Sequence, residues 1–150
     1  MTHIRKTIRE QVVTTVTGLT TTASRVYETR IHNLSSADLP ALVVYTNDEA
    51  IEYVAIGSSA RTQERILSVT IEAHVKGTAN IDDTIDTISE EVEEAMASDI
   101  TRGGHARNTE LKTMEIEFDT ASQKVGLARF NYDITYLTVE NAVQTGVWYD

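Results

Sequence analysis

From Arg65 to Lys76 the chain alternates apolar and polar residues: Leu67, Val69, Ile71, Ala73 and Val75 interleave with Ser68, Thr70, Glu72, His74 and Lys76. A period of two is the signature of a β-strand with one face in a core and the other facing water or a partner. A sheet built on such a strand needs apolar cover on one side only. Two segments supply it at helical spacing. In Thr2 to Val16, residues Ile4, Ile8, Val12 and Val16 recur every four positions, and Gly18 follows as a stop. In Asn80 to Ser98, residues Ile81, Ile85, Ile88, Val92 and Ala95 form the stripe. Asn80 reads as its N-cap, and Asp82 and Asp83 in the first turn complement the helix dipole.

The remaining strands are expected at Arg25–Ile31, at the continuously apolar Ala41–Tyr45, and at Ile51–Ile56 after the turn signal Asn47-Asp48. The single proline, Pro40, leads into the second of these, where a missing donor is tolerated. Met114, Ile116 and Phe118 alternate with Glu115, Glu117 and Asp119. Leu127–Leu137 places Phe130, Tyr132, Ile134 and Tyr136 on one face. The order is helix, several strands, helix, then two strands. It predicts an α+β fold, one domain with an antiparallel or mixed β-sheet packed with two main α-helices. The domain is expected over residues 1–139, with residues 140–150 as a C-terminal tail.

At 150 residues, 41% hydrophobic and 24% charged, the chain has the composition of an ordinary globular domain. The absence of cysteine excludes disulfides, thiolate zinc sites and cysteine nucleophiles. Charges at Arg5, Lys6, Arg9 and Glu10 interrupt any apolar secretion segment, and the apolar run around Ala41–Tyr45 is far too short to span a bilayer. A soluble, unexported chain with no membrane partner is expected. The net charge is −10, from 23 acids against 13 bases. Nucleic-acid affinity comes from neutralising phosphates with Lys and Arg, and no basic stripe here is adequate for it.

Catalytic groups are not apparent. The four histidines, His3, His32, His74 and His105, fall in different elements without metal-ligand spacing. Ser35-Ser36 and Ser58-Ser59 lack the context of a nucleophile elbow, and Gly103-Gly104 is too little for a phosphate cradle. Glu115 and Glu117 project from one strand face roughly 6.8 Å apart, a separation that overlaps some glycosidase pairs. Nothing adjacent in sequence would raise either pKa, so they read as the wet face of an edge or interface strand. No catalytic residue, cofactor or metal is therefore expected.

Interaction surfaces are the alternative. From Thr78 to Thr101 there are eight acids and no Lys or Arg, and Asp82/Asp86, Asp86/Glu90 and Glu90/Glu94 are like-charged pairs one turn apart. Such a face is either solvated, set against a basic partner, or placed to repel a polyanion; Glu90 and Glu94 are the residues to test. The polar loop with Gly57, Ser58, Ser59 and Arg61, the loop with Arg102, His105 and Arg107, and Trp148 in the tail are further contact candidates.

One family matches this order of elements. The opening helix ending in Thr17-Gly18-Leu19, the strand around Arg25–Arg30, Leu39–Thr46 followed by Asn47-Asp48-Glu49, the alternating Ile66–Gly77, the acidic helix Ile81–Met96 and the closing Leu127–Thr138 together resemble the tail terminator family of long, non-contractile-tailed phages, the lambda-type minor tail protein U. The resemblance spans Ile4 to about Leu137 and consists of packing patterns and turn signals. It implies an α+β subunit that forms a hexameric ring in the virion, at the head-proximal end of the tail. Such a ring caps the tail tube, stops tube polymerisation and offers its other face to the neck, or head–tail connector, while DNA passes through the pore without sequence-specific binding. Assembly would occur in the host cytoplasm. The stretch after Asn141 has no counterpart in the family pattern.

Three other readings stay open from sequence. Another head–tail joining or neck protein would bind portal subunits instead of the tube. A small acidic binding module would hold a basic partner and lose it as salt rises. A small hydrolase would need Glu115 and Glu117 in a concave pocket.

Overall fold

The computed structural model describes residues 2–28, 39–54, 61–77, 80–119 and 125–146. They run α1 (Ile4–Val16), β1 (Val26–Tyr27), β2 (Ala41–Tyr53), β3 (Thr62–Lys76), α2 (Ile81–Ala97), β4 (Asn108–Asp119), β5 (Val125–Val139) and β6 (Ala142–Gly146). The architecture is α+β, two helices on a six-stranded mixed sheet in one domain. Strand order is β1-β2-β3-β5-β4, with β6 paired to the end of β5. β1 runs parallel to β2, and the other pairs are antiparallel.

The centre of the sheet is the β3–β5 pair, whose alternations are in phase. Leu67 lies opposite Ile134, Val69 opposite Tyr132, Ile71 opposite Phe130 and Ala73 opposite Ala128. All eight are buried, so one face of the two longest strands is continuous core. The α1 stripe of Ile4, Ile8, Val12 and Val16 and the α2 stripe of Ile85, Ile88, Val92 and Met96 complete the same cluster. Both helices therefore cover one side of the sheet, as a single-sided apolar pattern requires. α1 ends at Val16, and Gly18 takes a φ of +90°, a conformation that favours glycine.

Local signals were overridden at several points. Asn47-Asp48 makes no turn: β2 passes through it as one strand, and only the register to β3 slips between Thr46 and Glu49. Eleven backbone pairs with β3 hold both halves in line, so the one extra residue of β2 is absorbed as a bulge. Asn80 precedes α2 in a left-handed conformation with a φ of +63°, and its side chain makes no capping bond. Met96 takes the buried place expected for Ala95, which is half-buried. Of the expected strand Arg25–Ile31, residues 25–28 are described and Val26–Tyr27 of these is strand, while residues 29–31 lie outside the described residues. Beyond Glu140, Ala142–Gly146 pairs back onto Thr138 and Val139 as β6.

Candidate interaction surfaces

The side of the sheet away from the helices is polar and hydrogen-bonded across strands. In one rung Asn47 Nδ2 donates to Thr70 Oγ1 at 2.7 Å, Thr70 Oγ1 to Asn131 Oδ1 at 2.8 Å, and Asn131 Nδ2 to Thr113 Oγ1 at 2.8 Å and Glu115 Oε1 at 3.1 Å. In the next, Tyr45 Oη donates to Glu72 Oε2 at 2.5 Å. Arg129 Nε reaches the same oxygen at 3.1 Å, and Arg129 Nη1 reaches Glu117 Oε1 at 2.9 Å. Each rung spans β2, β3, β5 and β4. His74, which lies 3.0 Å from Glu72 Oε1, together with Tyr45 and Arg129, holds the Glu72 pKa down to about 2 against the opposing effect of burial. Arg129 is shifted upwards, first by its bond to Glu117. Glu115 and Glu117 are thus exposed partners of Asn131 and Arg129 in this layer.

On the helix side, a polar cluster closes one end of the core. Glu49 Oε2 accepts from Arg65 Nη1 at 2.9 Å and from Arg5 Nη1 of α1 at 2.7 Å, and Tyr136 Oη donates to Glu49 Oε1. Arg65 also donates to Thr138 Oγ1 at 2.9 Å and Gln63 Oε1 at 2.8 Å. Burial, then the carboxylate of Glu49, pushes the Tyr136 hydroxyl pKa up. His3, the N-cap of α1, accepts the Arg5 amide on Nδ1 at 3.0 Å; burial, then Arg5 and Arg65, lower its pKa.

The sequence-derived contact residues fall in different settings. Gly57, Ser58, Ser59 and Trp148 lie outside the described residues. Arg61 stacks over the Tyr53 ring at 4.2 Å and pairs with Glu140 at 3.2 Å. Arg107 is exposed and reaches Glu64 at 3.3 Å, which brings it to the same end of β3 and β5 as Arg61. His105 is half-buried in the turn before β4. Glu90 and Glu94 are exposed on α2.

Arg102 corrects the expectation of a surface cation: it is completely buried. Its guanidinium donates to the carbonyls of Met96 and Asp99 and to Met96 Sδ at 3.2 Å. The last turn of α2 has no basic residue, so Arg102 folds back to satisfy and neutralise the negative end of the helix. Burial lowers its pKa. The acids divide as well. Glu91 accepts the backbone amide and hydroxyl of Thr21 at 2.9 and 2.7 Å, and Asp99 accepts from Thr101 and the Gly103 amide. Both are structural.

Sequence reading did not single out the apolar residues at the two edges. Ile116 and Phe118 of β4 share the core side of the sheet, opposite Ala128 and Gly126, yet are 44% and 49% exposed. Ile51 and Tyr53 of β2, on the same side as Glu49, are 46% and 50% exposed. Their alternation was visible, but not that the helices stop short of them. Among the described residues, no group of His, Asp and Glu is placed to hold a metal ion.

No curated protein matches the chain in sequence. Among solved structures, a chain described as "Virion of native gene transfer agent (GTA) particle" is similar, with a TM-score of 0.49 and 8% identity over 89% of this chain and 90% of that one. The family of phage minor tail protein U matches residues 3–136, from the cap of α1 to the buried Tyr136 of β5. With most of its length matched, the chain belongs to the phage minor tail protein U family and is a structural protein of a phage tail.

Proposed function

We propose that this protein is the tail terminator, a subunit that assembles into a hexameric ring, caps the tail tube, stops its polymerisation and offers the opposite face to the head–tail connector. The observation that carries the reading is the family match over residues 3–136, which takes in both helices, β1 to β4 and most of β5. The fold supports it in two ways. Its helices cover one side of the sheet and leave a broad polar layer on the other, an economical design for a subunit whose two sides meet different surroundings. On that polar layer Arg129 is shared between Glu72 and Glu117, so it offers little to a passing phosphate backbone. The ring would sit at the head-proximal end of the tail, with DNA crossing its pore without sequence-specific contacts.

Native mass measurement of the purified protein, alone and with isolated tail tubes, tests the reading. Six-subunit particles and tubes that stop growing when it is added are the expected result. A strict monomer under both conditions, or tubes that elongate unchecked, would overturn it. Capture of portal subunits but not tubes would move the protein to the neck.

A further inference from the structure

We propose that neighbouring copies join edge to edge, the outer edge of β4 in one copy pairing with the distal edge of β2 in the next, so that the sheet continues from subunit to subunit. The inference rests on the ring reading above and names the surfaces that would form the ring.

Both halves of the joint are on this chain. Among the described residues β1 pairs with β2 only at Leu42 and Val43, and no described strand lies against Asp48–Tyr53 on the side away from β3. β4 ends the strand order on the other side, and no described strand pairs with its outer edge. Open edges present a row of backbone donors and acceptors ready to pair. The bulge between Leu111 and Thr113 and the cation Lys112 blunt the first half of β4, but Met114–Phe118 has neither.

Side-chain sidedness selects a second copy as the occupant. In a continuous sheet the faces must match across the joint, because side chains alternate strictly between the two sides. On the helix side the edges carry Ile116 and Phe118 in one case and Ile51 and Tyr53 in the other, all close to half exposed. On the opposite side they carry Glu115 and Glu117 against Ala50 and Glu52. Edge-to-edge pairing therefore buries an apolar seam beside the helices and continues the polar layer. The joint is heterologous, so repetition does not stop at a dimer, and it gives the closed ring of the reading above where the rotation from copy to copy closes on itself.

Its size sets its strength. A fully buried aromatic removes roughly 150–250 Å² from water, so half-exposed Phe118 and Tyr53, together with the smaller Ile116 and Ile51, contribute on the order of 300–400 Å², well under the roughly 1,600 Å² of a standard stable interface. A single seam is thus weak, and two copies stay in concentration-dependent association. Ring closure, which gives every copy two seams, is what holds them.

The chain has no cysteine, which makes directed cross-linking clean. Variants Ile51→Cys or Tyr53→Cys on β2 and Ile116→Cys or Phe118→Cys on β4 are treated with a short bis-maleimide, at protein concentrations or tube additions where native mass shows rings. Covalent dimers are expected when a β2-edge variant is mixed with a β4-edge variant, not within either alone, and a variant carrying both should give a ladder up to the full ring. In parallel, Ile116→Lys/Phe118→Lys, checked for folding by circular dichroism, should lose the ring. Rings that form but cross-link without this pairing, or that survive the lysine pair, overturn the edge assignment and leave the ring reading standing. Particles no larger than a monomer under every condition sink the ring reading, and the joint with it.

Discussion

Gly126 of β5 lies directly beneath Ile81 at the start of α2: a Cβ built on Gly126 would sit 2.8 Å from Ile81 Cγ2, 3.1 Å from Val75 Cγ2 and 3.3 Å from Ile85 Cδ1. The Ile81 atom is attached at a branched Cβ and cannot swing aside without moving the helix. Gly126→Ala should therefore lower stability by about 1–3 kcal/mol, as overpacking of a closed core does. Ile81→Ala removes the obstructing methyl, so the double variant should recover part of that loss beyond additivity. Denaturant melts of the four proteins test this, and strict additivity would mean that helix and strand do not touch there.

Glu49 joins three elements through its carboxylate: α1 by Arg5, β3 by Arg65 and β5 by Tyr136. Its side chain is 7% exposed and that of Arg65 9%. Removing one partner of such a pair leaves a buried charge uncompensated, at about 3–5 kcal/mol. Glu49→Ala should cost that much, while Arg5→Ala, at the exposed rim, should cost far less. Equal effects from the two would show that Arg65 finds another partner when Glu49 is gone.

Much of this fold is legible in the sequence, because burial on one side of an element writes its period into side-chain polarity. Ile4 to Val16, Ile85 to Val92, Leu67 to Val75 and Phe130 to Tyr136 all do so. What periodicity cannot encode is the tertiary neighbour. Asn47-Asp48 carries the chemistry of a turn, yet the pairing with β3 holds it inside a strand. Arg102 has the look of a loop cation, and only the unsatisfied end of α2 draws it inwards. Alternation assigns Ile116 and Phe118 to the core side, but the reach of α2 decides that they remain exposed. The surfaces were harder to read than the core for the same reason, since contact residues follow no period. The Gly57–Ser59 and Trp148 candidates, outside the described residues, still rest on composition alone.

His3 gives the chain a pH dependence on the acid side of neutrality, below pH 6.5. Its Nδ1 accepts the Arg5 amide at 3.0 Å, a bond that requires an unprotonated acceptor. Burial, then the charges of Arg5 and Arg65, hold its pKa below the ordinary 6.5. The unfolded chain then takes up the proton first as pH falls. The stability contributed by neutral His3 is complete above pH 6.5 and is lost as pH drops through the lower folded value. Glu72, lowered from 4.5 to about 2, keeps its contribution above pH 4.5 and loses it between there and 2, below the range from pH 8 to 5. Thermal melts from pH 8 to 5 should show a decline in wild type that is flattened in His3→Asn, which caps without titrating. Parallel curves for the two proteins would remove His3 from the account.

Arg102 should prove structural rather than a contact residue. Truncation to Ala strips partners from the carbonyls of Met96 and Asp99, and leaving a buried polar group unsatisfied costs about 1–3 kcal/mol. Lys should restore little, because a single ammonium cannot reproduce the planar fork that spans both carbonyls. Amide exchange should locate the damage in the last turn of α2. Loss of assembly with unchanged stability and exchange would instead return Arg102 to the surface.

Glu90 and Glu94 remain the pair that tests the electrostatic question, since they stay exposed on α2 while Glu91 and Asp99 are taken up by internal bonds. Both are exposed one turn apart on α2, so Glu90→Lys/Glu94→Lys should leave stability unchanged or slightly higher, by relieving like-charge pairs worth a few tenths of a kcal/mol. Its consequences separate three roles. Against a DNA path, rings and tails should form normally while passage or retention of DNA suffers, because new cations grip phosphate. Against a basic subunit face, assembly itself should fail, most severely at low salt, where exposed charges are least screened. On a solvated face neither defect arises. Edge-to-edge joining of the sheets leaves the outer face of α2 outside the seam, so ring assembly is expected to survive the reversal at every salt concentration. Collapse of the ring at low ionic strength would put α2 in the subunit contact and count directly against the β2–β4 joint.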